Sequence, residues 1–208
     1  MTISTLSLPS TFAPSLRPIY LYPTAPMSKK LSATSRPLIA RAISQLLARA
    51  PGRVLIHTVS YDLNDYLYKE LRDARPSFTY TKSADKDAAI ASYRDQDSSV
   101  LYAASLERGV DLPDDFCRHI VVAKIPFPNL GDKQISSRLY SRGGQSWYAM
   151  KTIRSLVQMT GRGMRSENDW CNSYILDSQF LTHIWNRTRH LLPAWWKEAL
   201  VWDAGSLN

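Results

Sequence analysis

Apolar and polar positions along the chain switch between two periods, and the switching predicts the elements in order. Ile19-Tyr-Leu-Tyr22, Val54-Leu-Ile-His57, Phe78-Thr-Tyr-Thr81, Val100-Leu-Tyr-Ala103, Ile120-Val-Val-Ala123 and Ser173-Tyr-Ile-Leu176 are short β-prone runs. Between them, apolar residues recur at three and four positions. Leu38, Ile39, Ala42, Ile43, Leu46 and Leu47 predict a helix over 37–50, with Ser35 as its cap and Pro37 in its first turn. Pro51-Gly52 closes it. Leu63, Tyr66, Leu67, Glu70 and Leu71 predict a second helix, and residues 85–95 a polar third. Residues 126–145 have few apolar anchors and read as a long loop with a helix near 134–141. Trp147, Met150, Ile153, Arg154 and Val157 predict a helix running straight into residues 158–165. The tail, 185–202, reads as helical, with its tryptophans packing, and residues 1–16 as a loose Ser/Thr/Pro-rich arm.

Strands alternating with helices predict an α/β domain: a mainly parallel sheet with helices on both faces. A single domain is expected over 17–208. In such sheets functional residues gather at the carboxyl ends of the strands. Three polar clusters fall there: His57-Thr58-Val-Ser60, Ser105 to Asp111, and Asp177.

Composition changes this picture little. Of 208 residues, 44% are hydrophobic and 21% charged, as in ordinary globular proteins. The net charge of +8 makes a polyanionic partner plausible without requiring one. Cys117 and Cys171 are too few for a zinc or iron–sulfur site within the chain alone, and read as reduced, structural thiols of a cytoplasmic protein. No apolar run reaches the length of a membrane span, so no membrane partner is expected. The absence of Asp or Glu before Asp62 resembles an organellar targeting segment in composition, but Pro9, Pro14, Pro18, Pro23 and Pro26 would break a targeting helix.

The chemistry concentrates in Gln158-Met-Thr-Gly161-Arg162-Gly163-Met-Arg165. If the preceding helix continues, Gln158, Arg162 and Arg165 fall at i, i+4 and i+7 on one stripe. Gly161 would leave room beside Arg162 for a ligand. Guanidinium forks on one stripe suit phosphate oxygens. The alternative is a plain helix end, with arginines near the negative pole of the dipole and glycines terminating the helix.

Taken in order, the segments resemble the second motor lobe of the DinG/XPD-type helicases of superfamily two. Arg17 to Lys29 is similar to the first strand of that lobe, and Val54-Leu-Ile-His57-Thr-Val-Ser60-Tyr to motif IV. Ala104-Ser105-Leu-Glu-Arg-Gly109-Val-Asp111 is similar to motif V, and Lys124-Ile-Pro-Phe-Pro128 to the segment after it. Gln158-x-x-Gly161-Arg162-x-x-Arg165 is similar to motif VI, and the downstream Asp169-Trp and Tyr174-Ile-Leu-Asp177 also fit. The resemblance runs from about Arg17 to Trp202.

It implies a RecA-like fold, with Arg162 and Arg165 on the γ-phosphate of ATP and Arg165 as the arginine finger. Gln158, Gly161, Gly109 and Asp111 would line the nucleotide cleft. His57, Thr58, Ser60, Ser105 and Lys124 would hold single-stranded nucleic acid, DNA before RNA, through phosphates rather than bases. Helix capping is the structural alternative for Thr58 and Ser60, and loop bonding for Asp111.

Gly-x-x-x-x-Gly-Lys-Ser/Thr occurs nowhere in the chain, nor does an acidic strand end suited to Mg²⁺. In the family both belong to the first lobe, as does any iron–sulfur cluster. The expectation is a lobe that shares ATP and Mg²⁺ with a separately encoded N-terminal partner, as a split gene product or a truncated reading frame, and is inactive alone. Arg108 stands where the family usually has glutamate, which favours a second possibility: a degenerate lobe that binds single strands or a helicase partner without catalysis. A phosphometabolite enzyme of flavodoxin-like build is a third.

Overall fold

The computed structural model describes residues 9–28, 30–104, 106, 112–166 and 169–202. Seven strands form one sheet among them: β1 Ile19–Ala25, β2 Val54–His57, β3 Ser77–Thr79, β4 Val100–Ala103, β5 His119–Val122, β6 Asn172–Asp177 and β7 Leu200–Val201. Their order is β3-β4-β2-β5-β6-β1-β7, and every pairing is parallel. The helices are α1 Ser32–Arg49, α2 Tyr61–Leu71, α3 Lys86–Asp95, α4 Lys133–Leu139 and α5 Gly144–Thr160.

The period-two alternation of the strands sorts their side chains onto two faces. Val54, Ile56, Tyr102 and Val121 pack with Ile39, Ile43 and Leu46 of α1 and Leu63 and Leu67 of α2. On the other face Leu55, Leu101 and Ile120 meet Ile90 and Tyr93 of α3. Ile19, Leu21, Val122 and Ile175 meet Ile153, Leu156 and Met159 of α5 on that same face. The result is the three-layer α/β lobe the sequence predicts.

Several boundaries differ. β1 does not stop at Tyr22 but runs through Pro23, because a register shift between Leu21 and Ala25 absorbs it. Ala25 pairs with Asp177 while Leu21 pairs with Ile175, so β1 holds two more residues than β6 over that interval. Ala25 packs on the α1 side of the core. α1 begins at Ser32 rather than Pro37. Ser35 is not its cap: its hydroxyl donates to the Pro26 carbonyl at 2.8 Å and ties the helix to the end of β1.

The tail is not one helix. Short turns at Phe180–Trp185, Asn186–Thr188, Arg189–Leu191 and Ala194–Lys197 lead into β7, which pairs with β1. Pro193 breaks the run, and Trp196 is buried against Phe180 with ring centroids 6.0 Å apart. Its Nε1 donates to Thr160 Oγ1 at 2.8 Å, so this tryptophan packs, as expected. The arm is docked from residue 9 onward. Phe12 and Leu16 lie against the α3 side of the core, and Cys171 N–H donates to the Leu16 carbonyl at 2.9 Å.

Candidate functional site

The candidate residues divide between the two ends of α5, whose 17 residues make it about 25 Å long. At its amino end lie the carboxyl ends of the strands. β2 terminates there by a kink: Val59 has φ +63°, in the left-handed region a β-branched residue rarely adopts. The kink lifts the chain off the sheet into α2.

His57 and Thr58 lie just before that kink, and neither shows any surface. Thr58 N–H continues the sheet to the Ala103 carbonyl at 3.0 Å, and its hydroxyl donates to Asn64 Oδ1 at 2.9 Å. Asn64 in turn donates to Thr79. Thr58 is therefore a brace between β2, α2 and β3. The His57 ring is buried, with no hydrogen-bond partner for either nitrogen among the described residues. Burial first, and then the nearby Arg162 charge, lower its pKa to about 3, so the ring is neutral.

Ser60 and Lys124 remain half-buried at this edge. Ser60 holds the N-cap position of α2 with an extended backbone, yet its side chain makes no cap bond. Lys124 has its pKa lowered by burial, with Asp177 opposing the shift. Asp177 itself is wholly buried. Its carboxylate accepts from Met27 N–H at 3.0 Å, Ile125 N–H at 2.9 Å and Gln179 N–H at 3.0 Å. It thus ties the ends of β1, β5 and β6 together, although burial pushes its pKa up. Ser105, Gly109 and Asp111 lie outside the described residues, as does Arg108.

The second group sits at the far end of α5, against the amino ends of β5 and β6 rather than the carboxyl edge. α5 stops at Thr160, and Gly161 caps it by donating its N–H to the Val157 carbonyl at 3.1 Å. Arg162 and Arg165 are therefore on a turn beyond the helix, and the continuous i, i+4, i+7 stripe does not form. Gln158 is exposed on the last helical turn, Arg162 is only 7% exposed, and Arg165 is exposed.

The close approach expected at Gly161 occurs at Gly163 instead. A Cβ on Gly163 would stand 2.3 Å from the Cys117 carbonyl oxygen and 2.4 Å from Cys171 Sγ. At Gly161 the nearest atom would be the Val157 carbonyl oxygen, at 3.2 Å. Met164 then plugs the α3 side of the core beside Leu55 and Ile120.

Two residues outside the candidate site set complete the turn. Asp169, with a side chain only 1% exposed, accepts the Arg165 N–H at 3.0 Å and pairs with Arg118. Arg118 also donates to Asp115 Oδ1 and to the Trp170 carbonyl, each at 2.9 Å, and lies over the Trp170 ring at 5.2 Å. The turn is thus held at the Arg165 backbone by a buried carboxylate that Arg118 holds in turn. The Arg165 side chain is exposed, as is Gln158 on the last helical turn. Such an arrangement can present a guanidinium to an anion brought up from outside.

A parallel sheet with helices on both faces is the RecA-like α/β fold. Residues 43–199 match the helicase C-terminal domain, and the chain belongs to that family. It is a C-terminal helicase lobe of the DinG/XPD type. It is 26% identical over 177 residues to the ATP-dependent DNA helicase CHL1 of Saccharomyces cerevisiae, covering 74% of this chain and 19% of that protein. To the Fanconi anemia group J protein homolog of Gallus gallus it is 31% identical over 105 residues, covering 44% of this chain and 8% of that protein. The chain therefore spans about a fifth or less of these relatives. Among solved structures, an XPD helicase superposes with a TM-score of 0.66 at 18% identity, over 84% of this chain and 34% of that one. The C-terminal domain of the DEAD-box protein Dbp5 superposes at 0.54 and 12% identity, covering 85% of this chain and 83% of that one. Likenesses at these identities establish the fold. Among the described residues no helix is long and apolar enough to cross a membrane.

Proposed function

We propose that the chain acts as the second motor lobe of an ATP-dependent DNA helicase, closing against a first lobe that carries the P-loop. Arg165 is the arginine finger for the γ-phosphate, Gln158 lies beside it, and Arg162 forms the floor of that half-site. The observation that carries this reading is the Asp169–Arg165 bond. A buried carboxylate, itself held by Arg118, accepts the Arg165 backbone N–H and fixes where that side chain starts, which a merely solvated arginine would not need. ATP and Mg²⁺ would be held mainly by the first lobe, and the metal would supply charge neutralisation for the phosphates there. The part of this lobe is to bring a positive charge to the transferring group as the cleft closes.

Single-stranded DNA lies across the carboxyl edge of the sheet, on the flank bearing Ser60 and Lys124, and opening and closing of the cleft moves it. The preference for DNA follows the names of the curated relatives. Residues 17–208 form the lobe, with the docked part of the arm as its brace. The test is strand-stimulated ATP hydrolysis by the chain alone and paired with its P-loop lobe. Turnover only in the pair, and only with a strand present, is the expected result. Hydrolysis by the isolated chain at helicase rates would contradict it, and strand binding without turnover in the pair would mark a non-catalytic lobe.

A further inference from the structure

Beyond the motif residues, a cavity of about 370 Å³ opens at the carboxyl edge, between the segment after β5, the start of α5 and the turns after β6. Phe127 and Tyr148 line it with ring planes 9° apart and centroids at 6.2 Å, an offset parallel floor. The Tyr148 hydroxyl donates to the Pro128 carbonyl at 2.9 Å, which holds the floor in place. His183 stands edge-on to Phe127 at 5.8 Å and makes a wall. Gln145, Arg187 and His190 supply polar groups at the rim.

The chain around this cavity is segregated in charge. From Lys133 to Arg154 there are five Lys or Arg and no Asp or Glu, and from Ser178 to Lys197 three and none. A flat aromatic floor excludes a bare phosphate as the whole ligand, and an acid-free rim favours a polyanion over a basic peptide. A nucleic-acid strand satisfies both, since it offers a planar base and a charged backbone. The volume is within the range of pockets that enclose small planar ligands.

We propose that this cavity captures one unpaired base of the strand, stacked on Phe127 and Tyr148, with an adjoining phosphate on Arg187. The proposal rests on the strand-binding reading above and adds a base-stacking subsite to a track otherwise made of phosphate contacts. The base is held by its π-face, so the subsite is tolerant of sequence.

The test compares two labelled probes binding to the full chain: a 15-nucleotide oligo-dT, and the same backbone with abasic sites throughout. Stacking of one base predicts about tenfold tighter binding of oligo-dT. Phe127→Leu should remove that preference while leaving abasic affinity unchanged. His183→Ala, at an exposed position that leaves the core intact, should reduce the preference severalfold. Arg187→Gln should weaken both probes and lower the salt slope by about one phosphate. Lys124→Ala should do the same without touching the preference. Equal affinity of the wild-type chain for both probes would overturn the base subsite while leaving the strand reading in place. Binding of neither probe would overturn both.

Discussion

The two ends of α5 carry polar clusters of similar composition and opposite design. At the carboxyl edge, the polar groups nearest the sheet are consumed by the fold. Thr58 is bonded to Asn64 and Ala103, and Asp177 to three backbone N–H groups from three parts of the chain. At the motif VI turn the buried groups, Asp169 and Arg118, are spent on a backbone, and the side chain that backbone carries points outward. Buried polar residues thus hold strand ends at one site and aim an exposed cation at the other. The difference teaches that the outward residue next to a satisfied buried network is the stronger functional candidate.

The comparison can be broken by removing each buried group in turn. Asp169→Ala leaves Arg118 facing an emptied carboxylate site and the Arg165 N–H unpaired. The expected loss is about 4 kcal/mol in denaturant unfolding, and a loss under about 1 kcal/mol would mean that the clamp is slack. Gly163→Ala forces a methyl group into the Cys117 carbonyl and the Cys171 thiol. About 3 kcal/mol should be lost, against only a few tenths for Gly161→Ala, since its Cβ meets one carbonyl oxygen at 3.2 Å.

A pH experiment sharpens the role of His57. Its pKa of about 3 in the folded lobe lies below the ordinary value of 6.5. Between those values the unfolded chain takes up a proton that the folded lobe refuses. Stability therefore falls as pH drops from 6.5 toward 3, at about 1.4 kcal/mol per pH unit for this group. His119, lowered to about 4 mainly by burial, adds to the loss between 6.5 and 4. His57→Leu should recover about 2 kcal/mol of the loss between pH 7 and pH 5 in unfolding titrations. An unchanged pH dependence would show that the ring is protonated in place. A smaller effect is expected at Thr58→Val: about 1 kcal/mol of stability from the lost bond to Asn64, with strand affinity unaltered. A large drop in strand affinity with stability intact would return Thr58 to the track.

Much of this was legible from the pattern alone. β4 and α2 fall where the periodicity places them, because β4 is a short apolar run buried on both faces and α2 buries one clean face. β1 was shortened at Pro23 because a bulge that accommodates a proline depends on the partner strand, which has no local signal. β7 was missed because two residues carry no period, and their pairing with β1 depends on Trp196 docking under Thr160. The site divides in the same way. The motif spacing pointed to Gln158, Arg162 and Arg165, but helix projection put them on one stripe that ends at Thr160. Asp169 could have been suspected as an acid following a basic run of the chain. Arg118, 47 to 51 residues away from Arg165 and Asp169, could not, since only the β5–β6 pairing brings it there.

The central claim is that Arg165 is aimed by the turn and does its work outside this lobe. It is tested most directly by Arg165→Ala, measured for strand-stimulated ATP hydrolysis in the pair with the P-loop lobe and for unfolding of the chain alone. The account predicts a rate about 10³-fold lower, while the chain alone still unfolds cooperatively because the backbone bond to Asp169 survives the substitution. Hydrolysis at the wild-type rate would contradict it.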